Sequence, residues 1–117
     1  MDNVILGFAV SNSSLYFEVD KKTNYSEVSG SSVGLNSWNH MAFVLRGTNG
    51  LIFLNGVLVA NGNLFVPNAV IRTSNFIGRS NWVSSYIDGD LSDLKIYKGA
   101  LTAKKILNDY VVSSMNG

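Results

Sequence analysis

Two pairs of carboxylates are the first candidates for chemistry in this chain of 117 residues. Glu18 and Asp20 alternate along one predicted strand, and Asp88 and Asp90 share a side of a later one. Glycoside hydrolysis needs two carboxyl groups on either side of the scissile bond, about 5–9 Å apart. No glutamate lies near Asp88 and Asp90, and no pair of glutamates is spaced along the chain to supply both roles. We therefore expect no catalytic residue and no enzymatic activity.

A second group of acidic residues could hold a metal ion. Asp88, Asp90 and Asp93 lie close together in the sequence, and clustered oxygen donors are the ligands that Ca²⁺ prefers. The Asp88–Gly89 pair is also typical of a turn, so a structural role remains the alternative. Asp88 and Asp90 are the candidate metal ligands, and calcium is the one cofactor that the sequence suggests.

His40 is the only histidine and the chain has no cysteine. A lone imidazole has no partner for a metal pair, so we expect His40 to be a structural side chain whose substitution lowers stability before it lowers binding. Trp38 begins the same predicted strand, where packing in the core is favoured over stacking on a ligand. The absence of cysteine excludes disulfides, thiolate metal sites and cysteine nucleophiles.

A polar segment with aromatic residues is the candidate binding site. Its members are Arg79, Asn81, Trp82 and Tyr86, with serines and a further asparagine nearby. An aromatic ring can stack on the CH face of a sugar while amides bind its hydroxyl groups. Tryptophan, tyrosine and arginine are also the residues enriched in protein–protein hot spots. The sequence alone leaves glycan binding and protein binding open.

The composition of the chain argues against several classes of binding partner. The net charge is +1 and charged residues make up 15% of the chain, against about 25% in a typical globular domain. The basic residues are scattered, so we expect neither nucleic-acid binding nor attraction to anionic membranes. No apolar run approaches the roughly 20 residues of a membrane span, and the first residues do not resemble a signal peptide. The length predicts one domain over residues 1–117.

Alternating apolar and polar residues predict a protein built mainly of strands. The predicted strands are residues 3–10 (with Gly7 at a bulge or close approach), 15–20, 25–28, 38–46, 51–54, 57–60, 75–78 and 90–97. Residues 29–37 are rich in Ser and Gly and predict a loop, and Asn55–Gly56 predicts a hairpin turn. Pro67 argues against a central strand around it. Thr102 is a good N-cap for one helix of two to three turns, with residues 113–117 expected to fray.

Five segments in this order resemble a known family. They are Trp38-Asn39-His40-Met41-Ala42-Phe43, Leu51-Ile52-Phe53-Leu54-Asn55-Gly56, Phe76-Ile77-Gly78-Arg79, the run Tyr86-Ile87-Asp88-Gly89-Asp90-Leu91-Ser92-Asp93-Leu94-Lys95-Ile96-Tyr97, and Ala100-Leu101-Thr102-Ala103-Lys104-Lys105-Ile106. Together they resemble the laminin-G-like branch of the concanavalin A-like lectin/glucanase superfamily. The resemblance implies an all-β jelly-roll sandwich of two antiparallel sheets with one short C-terminal helix.

Three departures from the family pattern affect the expected function. The glucanase branch carries a Glu-x-Asp-x-Glu strand, whereas Lys22 follows Glu18 and Asp20 here. Lys105 replaces the acidic residue that closes a capping box in the family. Family members are usually longer, with more N-terminal strands, so this chain is either a pared-down version or a piece of a longer polypeptide. A partner chain or a second copy that completes an open sheet edge is the third option.

The resemblance and composition together predict a non-catalytic recognition module that binds carbohydrate or another surface ligand. The expected location is extracellular, on a cell surface or on a virion. The alternative is a structural or decoration domain that acts through protein–protein contacts in an assembly. Fold alone does not choose between them, because this architecture supports many functions.

Overall fold

The computed structural model describes residues 3–8, 13–70, 73, 75, 77 and 89–116, and within these ranges the chain forms two three-stranded antiparallel sheets and one helix. The first sheet contains β1 (Asn3–Phe8), β2 (Ser14–Lys21) and β3 (Asn24–Ser32) in that order. The second contains β4 (Met41–Arg46), β5 (Asn49–Leu54) and β6 (Val57–Asn63), and α1 (Ala103–Asn116) follows. The predicted two-sheet architecture with a C-terminal helix is confirmed.

The main core lies between the inner faces of the two sheets. Alternation along β2 places Leu15, Phe17 and Val19 in this core, as the sequence predicts. The ring of Phe17 meets that of Phe43 on the second sheet edge-on, with centroids 5.9 Å apart. The buried members of the core are Leu15, Phe17, Val19, Val28, Ile52 and Leu64. Each fully buried aliphatic or aromatic side chain stabilises the fold by about 1.5–3 kcal/mol.

A second, smaller apolar cluster lies on the outer face of the second sheet. Val44, Leu51 and Phe53 point away from the main core, and Ile106 of α1 covers them. The helix begins where the side chain of Thr102 accepts a hydrogen bond from the backbone N–H of Lys105 at 3.2 Å, which confirms the predicted N-cap. The helix therefore closes one side of the sandwich.

The hairpin between β5 and β6 confirms the turn predicted at Asn55–Gly56. Both residues have positive φ angles, 51° and 80°, as a type I′ turn requires. A side chain at Gly56 would meet α1, because a Cβ built there lies 2.7 Å from Cδ1 of Leu107. Glycine at this position therefore allows both the positive φ of the turn and the close approach of the helix. Pro67 lies outside any strand, as predicted.

Several predicted boundaries are wrong. β3 continues to Ser32, into the Ser- and Gly-rich residues predicted as a loop, because Ser29, Gly30 and Ser32 pair with β2. β6 likewise continues through Asn61–Gly62. β4 begins only at Met41, and Trp38 precedes it with 71% of its surface exposed. Trp38 is therefore not the core aromatic that the sequence favoured.

The predicted strand at residues 90–97 is also wrong, since the structure assigns no strand there. Asp93 has a φ of 54°, which interrupts an extended backbone, and Ile96 is 88% exposed. Without a paired neighbour, alternation of residue types does not make a strand. The helix, in contrast, is longer than predicted and continues to Asn116. No helix in the described ranges is long and apolar enough to span a membrane.

Candidate functional site

The outer face of the first sheet carries several polar and acidic side chains. Alternation along β2 turns one set of side chains inward to the core and the other set outward. We call the outward surface the polar face. Ile5, the partner of Glu18, is its apolar member on β1, and its six polar and aromatic members with the largest side chains are Asn3, Tyr16, Glu18, Asp20, Tyr25 and Glu27. Lysine and arginine are missing from these six positions. The polar face is therefore acidic in a chain whose overall charge is +1.

Strand register fixes which of these residues are neighbours. Asp20 is paired with Asn3 on one side and Tyr25 on the other. Glu18, in the next outward row, is paired with Glu27 of β3. Directly opposite side chains in an antiparallel pair have Cβ atoms about 4.5–5.5 Å apart, so these groups are in reach of one another.

The side chain of Tyr16 lies over the backbone of β1 at Gly7. A Cβ built on Gly7, its partner in the register, would lie 3.0 Å from the Tyr16 hydroxyl oxygen. The absence of a side chain at Gly7 therefore gives the tyrosine ring its space. The sequence predicted a bulge or a close approach at Gly7; the register is regular there, and the close approach is what the structure shows. Tyr25, at the other edge, is 67% exposed.

The carboxyl groups of the polar face perturb one another. Partial burial, a hydrogen bond with Asp20 and the charges of Asp20 and Glu27 raise the pKa of Glu18 from 4.5 to about 7. Burial and the charges of Glu18 and Glu27 also raise the pKa of Tyr16. At neutral pH, Glu18 is therefore divided between its protonated and ionised forms. A protonated Glu18 donates a hydrogen bond, whereas its ionised neighbours only accept them.

Asp20 has one oxygen with a partner and one without. The side-chain amide of Asn3 donates to Oδ2 of Asp20 at 3.5 Å, which is a long hydrogen bond. Oδ1 is inaccessible to solvent and lacks a hydrogen-bond partner within the described structure. Such an acceptor is unusual because burying an unpaired oxygen is costly. The neighbouring Glu18 is the donor for this carboxyl group when it is protonated, as the hydrogen bond between the two side chains indicates.

The arrangement of Glu18 and Glu27 is one that the sequence analysis missed. Along any single predicted strand, the sequence places no pair of glutamates. The structure instead brings two glutamates together across the β2–β3 hairpin, one of them with a raised pKa. The available signal was the short turn at Lys22–Thr23, which fixes the register of the hairpin and places Glu18 opposite Glu27.

The residues predicted to bind ligand lie outside the described ranges. Arg79, Asn81, Trp82 and Tyr86 belong to this group, so their role in binding stays a prediction. Of the two predicted metal ligands, Asp88 also lies outside, and Asp90 is exposed in the segment before α1. Within the described residues, no three His, Asp or Glu side chains converge on a point where they could hold a metal ion.

His40 lies on the opposite side of the molecule, beside the turn between β5 and β6. Its backbone N–H donates to Oδ1 of Asn55 at 2.8 Å, and its carbonyl accepts from the Asn55 N–H at 2.7 Å. The side chain of Asn55 also donates to Asn39. The backbone is thus held firmly, as expected of a structural residue. The imidazole differs from that expectation, because its buried Nδ1 has no hydrogen-bond partner in the described structure.

Comparison with known families supports the fold. Residues 2–107 match a laminin G-like family model described as the concanavalin A-like lectin/glucanases superfamily. The chain belongs to the concanavalin A-like lectin/glucanase superfamily. The resemblance noted in the sequence is therefore confirmed, and it covers both sheets and the first part of α1.

Two individual proteins are similar to this chain. An alpha-L-arabinofuranosidase of Bifidobacterium longum subsp. longum is 32% identical over 93 residues, which cover 70% of this chain and 8% of that protein. The chain thus spans a small part of the length of this curated relative. A crystal structure of an S-layer domain-containing protein (residues 221–444) from Clostridium thermocellum ATCC 27405 has a TM-score of 0.63 at 20% identity. That match covers 93% of this chain and 63% of the other, and it shows the fold alone.

Proposed function

We propose that the chain is a non-catalytic recognition module that binds a saccharide at the polar face of the first sheet. The observation that carries this proposal is the presence of two tyrosines and three carboxyl groups on one outward sheet surface. Tyrosine rings stack on the CH faces of sugars, and carboxylates accept hydrogen bonds from their hydroxyl groups. The location that suits this function is extracellular or on a cell surface.

The polar face has donors as well as acceptors for a polyhydroxylated ligand. The exposed carboxyl group of Glu27 can accept hydrogen bonds from sugar hydroxyls, and half-buried Asp20 lies in the next outward row. Protonated Glu18 and the Tyr16 hydroxyl can donate, since both have raised pKa values. Tyr25 offers an exposed ring beside Asp20. The predicted segment with Arg79, Asn81, Trp82 and Tyr86 stays a second candidate contact, and calcium at Asp88 and Asp90 stays an untested prediction.

The relative's name suggests the first ligand to test. Because the chain is 32% identical to part of a protein named an alpha-L-arabinofuranosidase, arabinofuranosyl oligosaccharides head the panel, followed by xylo- and gluco-oligosaccharides. Affinity is measured by isothermal titration calorimetry for the natural chain, for Tyr25→Ala and for Trp38→Ala. Both aromatic residues are largely exposed, so neither substitution should disturb the core. Trp38 belongs to the segment leading into the second sheet, which makes it a matched control.

The expected result is binding of one oligosaccharide class, which Tyr25→Ala weakens about 2- to 10-fold and Trp38→Ala leaves unchanged, since an aromatic contact is worth about 0.5–1.5 kcal/mol. Loss of binding in Trp38→Ala with full binding in Tyr25→Ala would place the site elsewhere. Release of reducing sugar during the titration would show hydrolysis and contradict a non-catalytic module, provided that Glu18→Gln abolishes it. Glu18 and Glu27 are the pair to consider in that case, because two carboxyl groups with different pKa values can act as acid and base.

Protein–protein assembly is the second candidate, and a different surface favours it. The segment before α1 exposes Leu91, Leu94 and Ile96, and the edge strand β1 exposes Leu6. Exposed apolar residues on a strand edge or segment are typical of contact surfaces. Light scattering after size-exclusion chromatography distinguishes the two functions. A stable oligomer that Leu6→Glu or Ile96→Glu dissolves, with no saccharide bound by the natural chain, would favour assembly.

A further inference from the structure

The imidazole of His40 lies between the β5–β6 turn and the C-terminal half of α1. Its ring centroid is 5.9 Å from that of Tyr110, with the planes inclined by 55°. Gly56 of the same turn lies close enough to the helix that a Cβ there would be 3.2 Å from Cδ2 of Tyr110. The tight turn and the helix therefore hold the imidazole from two sides.

The number of hydrogen-bond acceptors that the His40 ring needs depends on its protonation state. A neutral imidazole has one donor nitrogen and one acceptor nitrogen, whereas a protonated imidazole has two donors. The Nδ1 atom of His40 is sealed from solvent and has no hydrogen-bond partner in the described structure. Protonation would place an N–H at that position with no acceptor, and a buried donor without a partner is destabilising. The site therefore favours the neutral ring.

The charges around His40 oppose one another. Asp109 on α1 would stabilise a protonated ring, and Lys95 in the segment before the helix would destabilise it. Burial has the largest effect, so the pKa of His40 is lowered from its ordinary value of 6.5. Asp109 is itself committed to other groups, since it accepts hydrogen bonds from Lys105 and from the Tyr97 hydroxyl. The turn adds only Asn55 and Gly56, which carry no charge.

The C-terminal half of α1 has few contacts that would hold it in place. Ile106 and Asp109 are the buried side chains of the helix among its described residues, and Tyr110 is half-buried. Beyond Tyr110, the apolar side chains Val111, Val112 and Met115 are exposed. A segment with few buried contacts opens locally at low cost in free energy. Tyr110, through its contacts with His40 and with the β5–β6 turn, therefore attaches this half of the helix to the second sheet.

We propose that the contact between His40 and Tyr110 is a pH-dependent clasp, which holds the C-terminal half of α1 on the second sheet at neutral pH and releases it when His40 is protonated. Ile106 anchors the first half of the helix in both states. The sign follows from the lowered pKa: the docked state loses stability as the pH falls below 6.5, because the released state binds the proton more tightly.

NMR on the full chain tests the clasp, because the chain has a single histidine and its Hε1 signal is unambiguous. The expected titration midpoint is below 6.5. Amide protection at residues 110–115, corrected for intrinsic exchange, should fall by up to about tenfold for each unit by which the midpoint lies below the ordinary value. Amides of β2 and β5 should keep their protection over the same range of pH.

Two variants make the test specific. In His40→Gln, which does not titrate, protection of the helix should not change with pH. In Lys95→Gln, removal of a nearby positive charge should move the His40 midpoint to higher pH. The proposal is overturned by a His40 midpoint at or above 6.5, by unchanged helix protection across that midpoint, or by equal loss of protection in His40→Gln. Equal loss of protection in the strands would also overturn it, because that indicates global unfolding.

Discussion

Both sheets of the sandwich are three-stranded and antiparallel, but the outer face of one is apolar and that of the other is mainly polar. The second sheet turns Val44, Leu51 and Phe53 outward, and α1 covers them through Ile106. The first sheet turns tyrosines and carboxyl groups outward, and its Tyr25 and Glu27 are exposed. One face therefore contributes stability through a second apolar cluster. The other has polar and acidic groups that could bind a ligand.

The two faces also respond to pH in opposite directions. On the polar face, the raised pKa of Glu18 makes the folded chain bind a proton more tightly than the unfolded chain. On the helix side, the lowered pKa of His40 makes the folded chain bind it less tightly. Acidification therefore favours the polar face and disfavours the helix contact. The pH dependence of stability therefore distinguishes the two faces.

The largest expected effect comes from removing the helix anchor. Ile106→Ala should lower the free energy of unfolding by about 2–5 kcal/mol, because it deletes a buried side chain and leaves a cavity against the second sheet. Val112→Ala, at an exposed helix position, is the control and should change it by less than about 0.5 kcal/mol. Urea denaturation measures both. Equal effects for the two substitutions would show that α1 is not anchored on that face.

A smaller effect is expected at the hairpin that approaches the helix. Gly56→Ala should destabilise the chain by about 1–3 kcal/mol, because alanine tolerates positive φ poorly and its Cβ would overlap Leu107. Gly47→Ala is the matched control, since Gly47 also has a positive φ but open space around it. The difference between the two thermal denaturation midpoints isolates the overlap. A Gly56→Ala variant as stable as Gly47→Ala would mean that the helix does not lie against this turn.

The smallest predicted effect concerns the pH dependence of stability that Glu18 causes. The contribution of Glu18 to stability is complete below pH 4.5 and is lost as the pH rises through about 7. Glu18→Gln should therefore be more stable than the natural chain at pH 8 and should lose less stability between pH 4.5 and 8. Glu27→Gln should show the same trend more weakly, since its charge is the last of the causes. Identical pH profiles for Glu18→Gln and the natural chain would show that the carboxyl groups do not interact.

The sequence predicted the sandwich well because its signals are local. Alternation placed Leu15, Phe17 and Val19 in the core, Asn55–Gly56 gave a hairpin, and Thr102 capped the helix. Each depends on the preferences of a few consecutive residues. The superfamily was also identified correctly from the motif residues.

The sequence predictions were wrong or incomplete where the local structure depends on contacts between residues that are distant in the sequence. Trp38 looked like a core aromatic because it precedes apolar residues, yet Asn39 and Asn55 hold its segment in a loop outside the sheet. Residues 90–97 alternate like a strand, but a strand needs a paired neighbour. The pair Glu18 and Glu27 is nine positions apart in sequence and becomes a pair only through the register of β2 and β3. Arg79, Asn81, Trp82 and Tyr86 stay sequence predictions.

The central claim is that the polar face of the first sheet is a binding surface and the helix-covered face is structural. Chemical-shift mapping with the saccharide selected by calorimetry tests this most directly. We expect dose-dependent shifts at Tyr16, Glu18 and Tyr25 and none at Leu51 or Ile106. Shifts confined to the second sheet and α1, with the polar face unchanged at saturation, would contradict the account.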